Sequence, residues 1–233
     1  MTTEGNLLDL GLREYREVWD LQRKLVDLRG SNAIPDTLIL VQHPHVFTVG
    51  KAVQGELPAE INGVPVVRIE RGGHWTYHGP GQLVGYPILD LAPRNRDIHG
   101  FLRNIEETII LALATFGIDA GRGDQAGVWV QKRKIASIGA AIRNWTSFHG
   151  FALNVNTDLT YFAYIEPCEM PASTMTSMKS VLDREVELDA VKREILTSFE
   201  EIFGLQLVRC DKPNTISITD QDVQSELKRA ICG

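Results

Sequence analysis

Cysteine is scarce in this chain: its 233 residues include only Cys168, Cys210 and Cys232, and no C-x-x-C pair. An odd number of widely spaced thiols predicts neither a disulfide framework nor a zinc site. Long hydrophobic runs are missing as well. The longest, 109–114, has six residues, whereas a membrane-spanning helix needs about 20. We therefore expect no membrane role.

Positive charge is also in short supply, with 24 lysines and arginines against 30 acidic residues and a formal net charge of −6. A general nucleic-acid binder needs clustered cations to contact phosphates, so the composition argues against nucleic acid as a partner. The N-terminus has an acidic residue where a secretory signal peptide carries positive charge, and it has no A-x-A cleavage pattern. We therefore expect a cytoplasmic protein.

Apolar residues make up 43% of the chain, which is enough to bury a substantial core. We predict one domain over 1–233, with a C-terminal helix, short strand and tail in 183–233, because no repeat or long linker divides the sequence. Helical spacing of apolar residues predicts helices over 14–28, 97–117 and 188–203. Strands are predicted over 37–42, 46–50, 65–70, 82–91, 127–131, 134–142, 148–156 and 205–208. This order predicts an α+β fold, a mixed β-sheet covered by α-helices.

The segment RGGHWTYHGPGQ, 71–82, interrupts a strand-like pattern with glycines and a proline. One interpretation is structural, since glycine marks bulges and turns. The other is functional, because a backbone without Cβ atoms lets a ligand approach main-chain N–H groups closely. The Walker and dinucleotide-binding patterns are both absent. His74 and His78 lie about 13 Å apart in an extended strand, too far to share a metal ion, so we predict no metal site.

Lys134 lies in the strand-like stretch KIASIGAAI, 134–142. A run of cations such as KRK is commonly a solvated surface. Strand alternation, however, places Lys134 on the same face as Ala136 and Ile138, where its side chain would be buried among apolar groups. Burial disfavours the charged form of lysine and would lower its pKa toward that of a useful base.

Cys168 follows a proline in the loop-like stretch IEPCEMP, 165–171. A lone cysteine is commonly a small buried hydrophobe, but nucleophiles are often displayed on loops. The carboxylates of Glu166 and Glu169, if close, would raise the pKa of the thiol. A reactive thiolate would then need a nearby cation, for which Lys134 is the candidate.

Four segments together resemble the lipoyl(octanoyl) transferase family: RGGHWTYHGPGQL (71–83), KIASIGAAI (134–142), FHGFALNVN (148–156) and Pro-Cys at 167–168. The likeness runs from about residue 36 to 182, with the segments in the family's order. It implies a biotin/lipoate protein ligase-like single domain, an acyltransferase without ATP or other cofactor, and a Gly-rich strand that lines the acyl pocket.

The resemblance also implies residue roles. Cys168 matches the nucleophile that carries the acyl group as a thioester, and Lys134 matches the group that lowers the thiol pKa and moves protons. The residues that match the family's substrate-binding segments are Arg71, Gly72, Gly73, His74, Trp75, Thr76, Tyr77, His78, Ser137, Ile138, Gly139, Gly150, Phe151 and Ala152.

The implied reaction moves an octanoyl group from octanoyl-acyl carrier protein to a lysine of a lipoyl domain. The implied acceptors are the lipoyl domains of 2-oxoacid dehydrogenase E2 subunits and the glycine cleavage H protein. We expect the acidic carrier to contact a local basic surface, with Arg94, Arg96, Arg103, Lys132 and Arg133 as the candidates.

One position departs from the family pattern, since Glu169 stands where the family has glycine after its cysteine. Glycine can adopt φ > 0 and leaves room near a thioester, so Glu169 changes the expected loop geometry and thiol pKa. Two alternatives stay open. One is an ATP-dependent lipoate or octanoate protein ligase, which shares the implied fold. The other, which Glu169 favours, is a non-catalytic module that binds the acyl group or its carrier.

Overall fold

The computed structural model describes residues 3–165 and 171–210, so Cys168, Glu169 and the tail from Asp211 onward lie outside the described residues. The strands are β1 Thr3–Leu12, β2 Thr37–Gln42, β3 Val46–Val49, β4 Glu60–Ile61, β5 Val64–Arg68, β6 Trp75–His78, β7 Gln82–Ile88, β8 Gly121–Arg122, β9 Gly127–Val130, β10 Arg133–Arg143, β11 Thr146–Asn154 and β12 Leu205–Arg209. The α-helices are α1 Tyr15–Gly30, α2 Ile98–Ala114, α3 Met178–Leu182 and α4 Leu188–Phe203, and 3₁₀ helices span Leu159–Tyr164 and Ala172–Thr174.

The strands form two sheets. The larger has eight strands in the order β12-β1-β2-β7-β11-β10-β9-β8, and the smaller has four in the order β4-β5-β3-β6. β1 pairs in parallel with β2 and β12, and the other neighbours in the larger sheet are antiparallel. The larger sheet is therefore mixed, as the sequence predicts.

Helices cover both faces of the larger sheet. In β2, Leu38 and Leu40 belong to the core that α2 and α4 form with one face. Ile39 and Val41, the alternate residues, belong to the core that α1 forms with the other face. A strand covered on both sides is apolar at successive positions, which explains the unbroken hydrophobic run of β2. Among the described residues, no helix is both long enough and apolar enough to cross a membrane.

The sequence-based boundaries agree closely with the structure where periodicity is strong. The predicted strand 37–42 and helix 188–203 have the bounds of β2 and α4. The helix predicted over 97–117 begins at Ile98, because Asp97 caps α2 by accepting a hydrogen bond from the Gly100 N–H at 2.8 Å. It ends at Ala114, three residues before Gly117, whose φ angle of 75° is left-handed. β1 was missed, because its partners β2 and β12 are distant in sequence.

Candidate active site

A cavity lies between the Gly-rich segment 71–78 and the middle of β10 and β11. Eleven of the fourteen predicted binding residues line it: Arg71, Gly72, Gly73, Thr76, His78, Ser137, Ile138, Gly139, Gly150, Phe151 and Ala152. The structure thus brings together three segments that are spread between residues 71 and 152 of the sequence.

Strand pairing sets the position of the cavity wall. Ile138 lies opposite Phe151, and Gly139 lies opposite Gly150, in the β10–β11 pair. At Gly139 a Cβ atom would lie 3.1 Å from the Cδ atom of Arg71, closer than ordinary van der Waals contact. The glycine therefore leaves room for the Arg71 side chain to lie across β10.

Arg71 anchors the Gly-rich segment to both sheets. Its buried guanidinium donates from Nη2 to the carbonyl of Thr48 at 3.0 Å and to Thr48 Oγ1 at 3.1 Å. A further bond runs from Nη1 to the carbonyl of Gly72 at 2.9 Å. The N–H of Gly72 in turn donates to the carbonyl of Ala140 in β10 at 3.2 Å. These bonds hold a positive charge and a flexible backbone segment at the cavity wall.

Two buried histidines and two tyrosines form a polar cluster beside the cavity. His43 Nε2 lies 2.8 Å from the Tyr86 hydroxyl, and His78 Nδ1 lies 2.8 Å from Gln82 Oε1. The ring of Tyr15 stacks on His78 at 5.6 Å. Burial lowers the pKa of His43 to about 4 and the pKa of His78 to about 3. Burial also raises the pKa of Tyr15 and Tyr86, so the whole cluster is uncharged near neutral pH.

The two depressed histidine pKa values predict a loss of stability in mild acid. Unfolded histidine takes up a proton near pH 6.5, whereas folded His43 and His78 resist protonation down to about pH 4 and 3. Their stabilising contribution is therefore full above pH 6.5 and is lost as the pH falls toward 4. We expect the free energy of unfolding to fall by about 1 kcal/mol per pH unit for each histidine.

Urea unfolding at pH 7, 6 and 5 measures this slope. His43→Gln is expected to flatten it, and His99→Gln, at an exposed position, serves as the control that leaves it unchanged. Equal slopes for the wild type and His43→Gln would contradict the assignment.

Lys134 is buried, with 2% of its surface exposed, as strand alternation predicts. Its Nζ atom lies 5.4 Å from the centre of the Trp129 ring, within reach of a cation–π interaction. Gly127 makes this packing possible, because a Cβ there would lie within 2.4 Å of Lys134 Cε. The lysine lines a second cavity, and that cavity shares Gly72, Gly73, Ile138 and Gly139 with the first. The catalytic role of Lys134 stays a prediction, and its predicted partner Cys168 lies outside the described residues.

Three predicted binding residues lie elsewhere. Thr76 and His78 of β6 face the first cavity, but the alternate residues Trp75 and Tyr77 point away. Tyr77 is fully buried and bonds through its hydroxyl to His45 Nδ1 at 2.7 Å. His74 lines the second cavity, beside Lys134. The period-2 alternation of β6 therefore divides the segment into a cavity face and a core face.

Four cavity residues were not predicted from the sequence. Tyr15 begins α1, Val84 and Tyr86 belong to β7, and His149 precedes Gly150 in β11. The β7 residues resemble ordinary core positions, and Tyr15 is more than 50 residues from the Gly-rich segment. His149 could have been predicted, because it directly precedes the binding residue Gly150, and a polar side chain at such a position indicates a binding site.

Comparisons with known proteins agree with this geometry. The family described as the lipoyl protein ligase A/B catalytic domain matches residues 14–200. The octanoyltransferase of Rubrobacter xylanophilus is 47% identical over 203 residues, covering 83% of this chain and 91% of the relative. The octanoyltransferase of Flavobacterium johnsoniae is 40% identical over 232 residues, covering 89% of this chain and all of the relative.

Solved structures show the same fold. A lipoate-protein ligase A bound with ATP superposes with a TM-score of 0.72 at 19% identity, covering 97% of this chain and 93% of that chain. The biotin protein ligase of Aquifex aeolicus superposes with a TM-score of 0.52 at 12% identity, covering 86% and 69%. These likenesses confirm the predicted biotin/lipoate protein ligase-like fold.

Proposed function

This chain belongs to the lipoyl protein ligase A/B catalytic domain family, and we propose that it is an octanoyltransferase that forms an acyl-enzyme on Cys168. The observation that carries the proposal is the first cavity, whose wall is formed by Arg71–Gly73, Ser137–Gly139 and Gly150–Ala152. It shares part of this wall with the second cavity, which Lys134 lines. Relatives 40% and 47% identical over most of the chain are named octanoyltransferases, which supports the same activity here.

The cavity suits an apolar acyl chain. Val84, Ile138, Phe151 and Ala152 give it apolar walls, as is usual for small-molecule sites. Each buried methylene group contributes about 0.8 kcal/mol to binding. A saturated chain therefore gains affinity from its length, and its only polar group is the carbonyl at the reacting end.

The proposed reaction has two acyl transfers. Lys134 accepts the proton of the Cys168 thiol, and the thiolate attacks the carbonyl of the donor thioester. The donor's C–S bond breaks as the bond to Cys168 forms, and Lys134 returns the proton to the departing carrier sulfur. The amine of the target lysine then attacks the acyl-enzyme, its proton passes through Lys134 to the Cys168 sulfur, and an amide remains. The covalent intermediate divides one difficult transfer into two easier steps.

The chain beyond Cys168 supports a place for the thiol near Lys134. Met175, seven residues after Cys168, forms a β-bridge with Lys134. The N–H of Thr176 donates to the carbonyl of Lys134 at 2.9 Å. The described segment that follows the cysteine therefore contacts β10 at the proposed base, which supports the proposed pairing of Cys168 with Lys134.

Intact-protein mass spectrometry with octanoyl-acyl carrier protein tests the proposal. We expect the wild type to gain one octanoyl group that hydroxylamine removes, and Cys168→Ala to gain none. Cys210→Ala is the matched control and should still acylate, since Cys210 is a buried thiol whose Sγ lies 3.5 Å from Asn6 Oδ1. No adduct on the wild type, or a normal adduct on Cys168→Ala, would contradict the acyl-enzyme.

Assays on the same purified protein distinguish the octanoyltransferase from the two alternatives, a ligase and a binding module. The fold likeness to a lipoate-protein ligase A bound with ATP favours an ATP-dependent ligase as the second candidate. Such an enzyme would release pyrophosphate from ATP in the presence of octanoate and would not need Cys168. A binding module would retain octanoate and transfer none.

The proposed donor is octanoyl-acyl carrier protein, and the proposed acceptors are lipoyl domains of 2-oxoacid dehydrogenase E2 subunits and the glycine cleavage H protein. Of the cations predicted to contact the carrier, Arg94 is partly exposed, but its charge is paired with buried Asp36 at 2.9 Å. Arg96 lies 5.3 Å from the ring of exposed Trp145. The carrier surface is therefore proposed around the remaining cations, with Arg94 left out.

A further inference from the structure

Gln82 and Asn154 form a buried pair of side-chain amides where two neighbouring strands meet. Gln82 begins β7, Asn154 ends β11, and the two residues are paired in the ladder between these strands. Each residue is 1% exposed. Gln82 Nε2 donates to Asn154 Oδ1 at 2.9 Å and to the carbonyl of Tyr77 at 3.1 Å. Because a buried amide without partners destabilises the fold, these bonds fix both side chains in one orientation.

His78 sets the direction in which the two amides donate. It lines the first cavity, and its Nδ1 atom lies 2.8 Å from Gln82 Oε1. Burial lowers the pKa of His78 to about 3, so the ring is neutral near pH 7. A carbonyl oxygen only accepts hydrogen bonds, and therefore Nδ1 carries the ring proton and donates to Gln82. Gln82 in turn donates to Asn154 Oδ1, which leaves the Asn154 Nδ2 group to donate elsewhere.

The Asn154 amide donates to the chain that follows Cys168. Its Nδ2 atom lies 3.0 Å from the carbonyl oxygen of Thr176, a residue with no exposed surface. The N–H of Thr176 donates to the carbonyl of Lys134 at 2.9 Å. Thr176 is therefore bonded through its N–H to the proposed base and through its carbonyl to Asn154. Asn154 thus helps to determine where this chain lies against β10.

A short turn connects Thr176 to the neighbourhood of Cys168. The described chain resumes at Pro171, three residues after Cys168, and the 3₁₀ helix Ala172–Thr174 follows. The carbonyl of Pro171 accepts from the Thr174 N–H at 2.9 Å and from Thr174 Oγ1 at 2.6 Å. Because these bonds make the turn compact, a shift at Thr176 would also displace Pro171.

We propose that Asn154 is a positioning residue for acyl transfer, because its bond to Thr176 holds the chain that carries Cys168 in place beside Lys134. Gln82 acts through Asn154 by fixing the direction of its amide. A proton passes between a thiol and an amine only within about 3 Å or through one water. A displacement of about 1 Å can slow such a step roughly 100-fold. The proposal rests on the proposed function, since it takes Cys168 as the nucleophile and Lys134 as the base.

Single-turnover acylation of the full chain by an octanoyl pantetheine thioester tests the proposal. Asn154→Leu keeps a similar shape and removes the bonds to Gln82 and Thr176. We expect its maximal rate to fall about 100-fold. The thioester concentration that gives half of this rate should change less than about threefold, because ground-state binding is kept.

Asn156→Leu is the matched control. Asn156 lies two residues further along the chain and brackets a different segment, since its Nδ2 donates to the carbonyl of Val186 at 2.7 Å and its Oδ1 accepts from the Val186 N–H at 3.0 Å. Its loss should lower the urea midpoint and leave the acylation rate at the wild-type value. An unchanged rate for Asn154→Leu, or an equal loss for Asn156→Leu, would overturn the proposal.

The pH dependence of Cys168 alkylation by iodoacetamide is a second measurement, and peptide mass spectrometry separates Cys168 from Cys210 and Cys232. A nearby lysine stabilises the thiolate, so Asn154→Leu should move the midpoint upward, toward about 8.5 for a free thiol. If this variant does not fold, Gln82→Met, which removes only the neighbouring amide, decides by a smaller change in the same direction. If the wild type transfers no octanoyl, the proposed function fails and the alkylation midpoints judge the positioning separately. Equal midpoints in the wild type and the variant would then overturn it.

Discussion

Replacing Lys134 with methionine is expected to slow octanoyl transfer by roughly 10³-fold, the typical contribution of a group that moves protons in the reaction. Methionine is unbranched and of similar length, so it can fill the space against Gly127 and the Trp129 ring that the lysine stem now occupies. The substitution also removes an ionisable group that is only 2% exposed, and such groups are costly to bury. We therefore expect the thermal midpoint to stay the same or rise while activity is lost.

Single-turnover acylation with a pantetheine thioester measures this effect without involving the carrier surface. Lys132→Met is the matched control, since Lys132 is two residues away and exposed, and its acylation rate should equal that of the wild type. A Lys134→Met rate within a few-fold of the wild type would show that Lys134 supports the fold and not the chemistry.

Gly150→Ala is expected to destabilise the protein by about 3 kcal/mol or more, at the upper end for overpacking. A Cβ at this position would lie 2.3 Å from the backbone carbonyl oxygen of Gly85 and 2.6 Å from Cδ of Pro87. Neither atom is the end of a flexible side chain, so β7 and β11 would have to separate in the middle of the larger sheet. The cavity wall would move with them.

Gly121→Ala is the control for this prediction. Gly121 is also a strand residue, yet a Cβ there would have no atom within 4 Å, and its φ angle is not positive. Urea unfolding should give a midpoint close to the wild-type value for Gly121→Ala and a much lower one for Gly150→Ala. Coincident midpoints would show that the sheet can expand at Gly150 without cost.

The candidate active site is built from two parts of the fold, the Gly-rich segment and the β10–β11 pair. The Gly-rich segment supplies backbone and one buried guanidinium, tied to β3 by the bonds from Arg71 to Thr48. Strands β10 and β11 supply the apolar wall and place Lys134 at one end and His149 toward the other.

Local periodicity in the sequence was sufficient to predict β2, α4 and the burial of Lys134, because the repeat of side-chain direction in a strand or helix is a property of neighbouring residues. The same local signals, together with the resemblance of four segments, predicted most residues of the cavity wall. The alternation that places Thr76 and His78 toward the cavity and Trp75 and Tyr77 away from it was available in the sequence as well. It could not be assigned to a face there, because an extended segment alone does not show which of its two sides meets the cavity.

The tertiary structure alone decided the rest. β1 lies between β2 and the edge strand β12, which follows it by about 200 residues, and Tyr15 reaches the cavity because α1 packs across β7 and β11. The direction of the His149 side chain opposes the strand pattern, since a left-handed backbone turns it to the other face. Pairing between distant segments, and a conformation that a strand disfavours, depend on the whole folded chain, whereas helix and strand periodicity depends only on neighbouring residues.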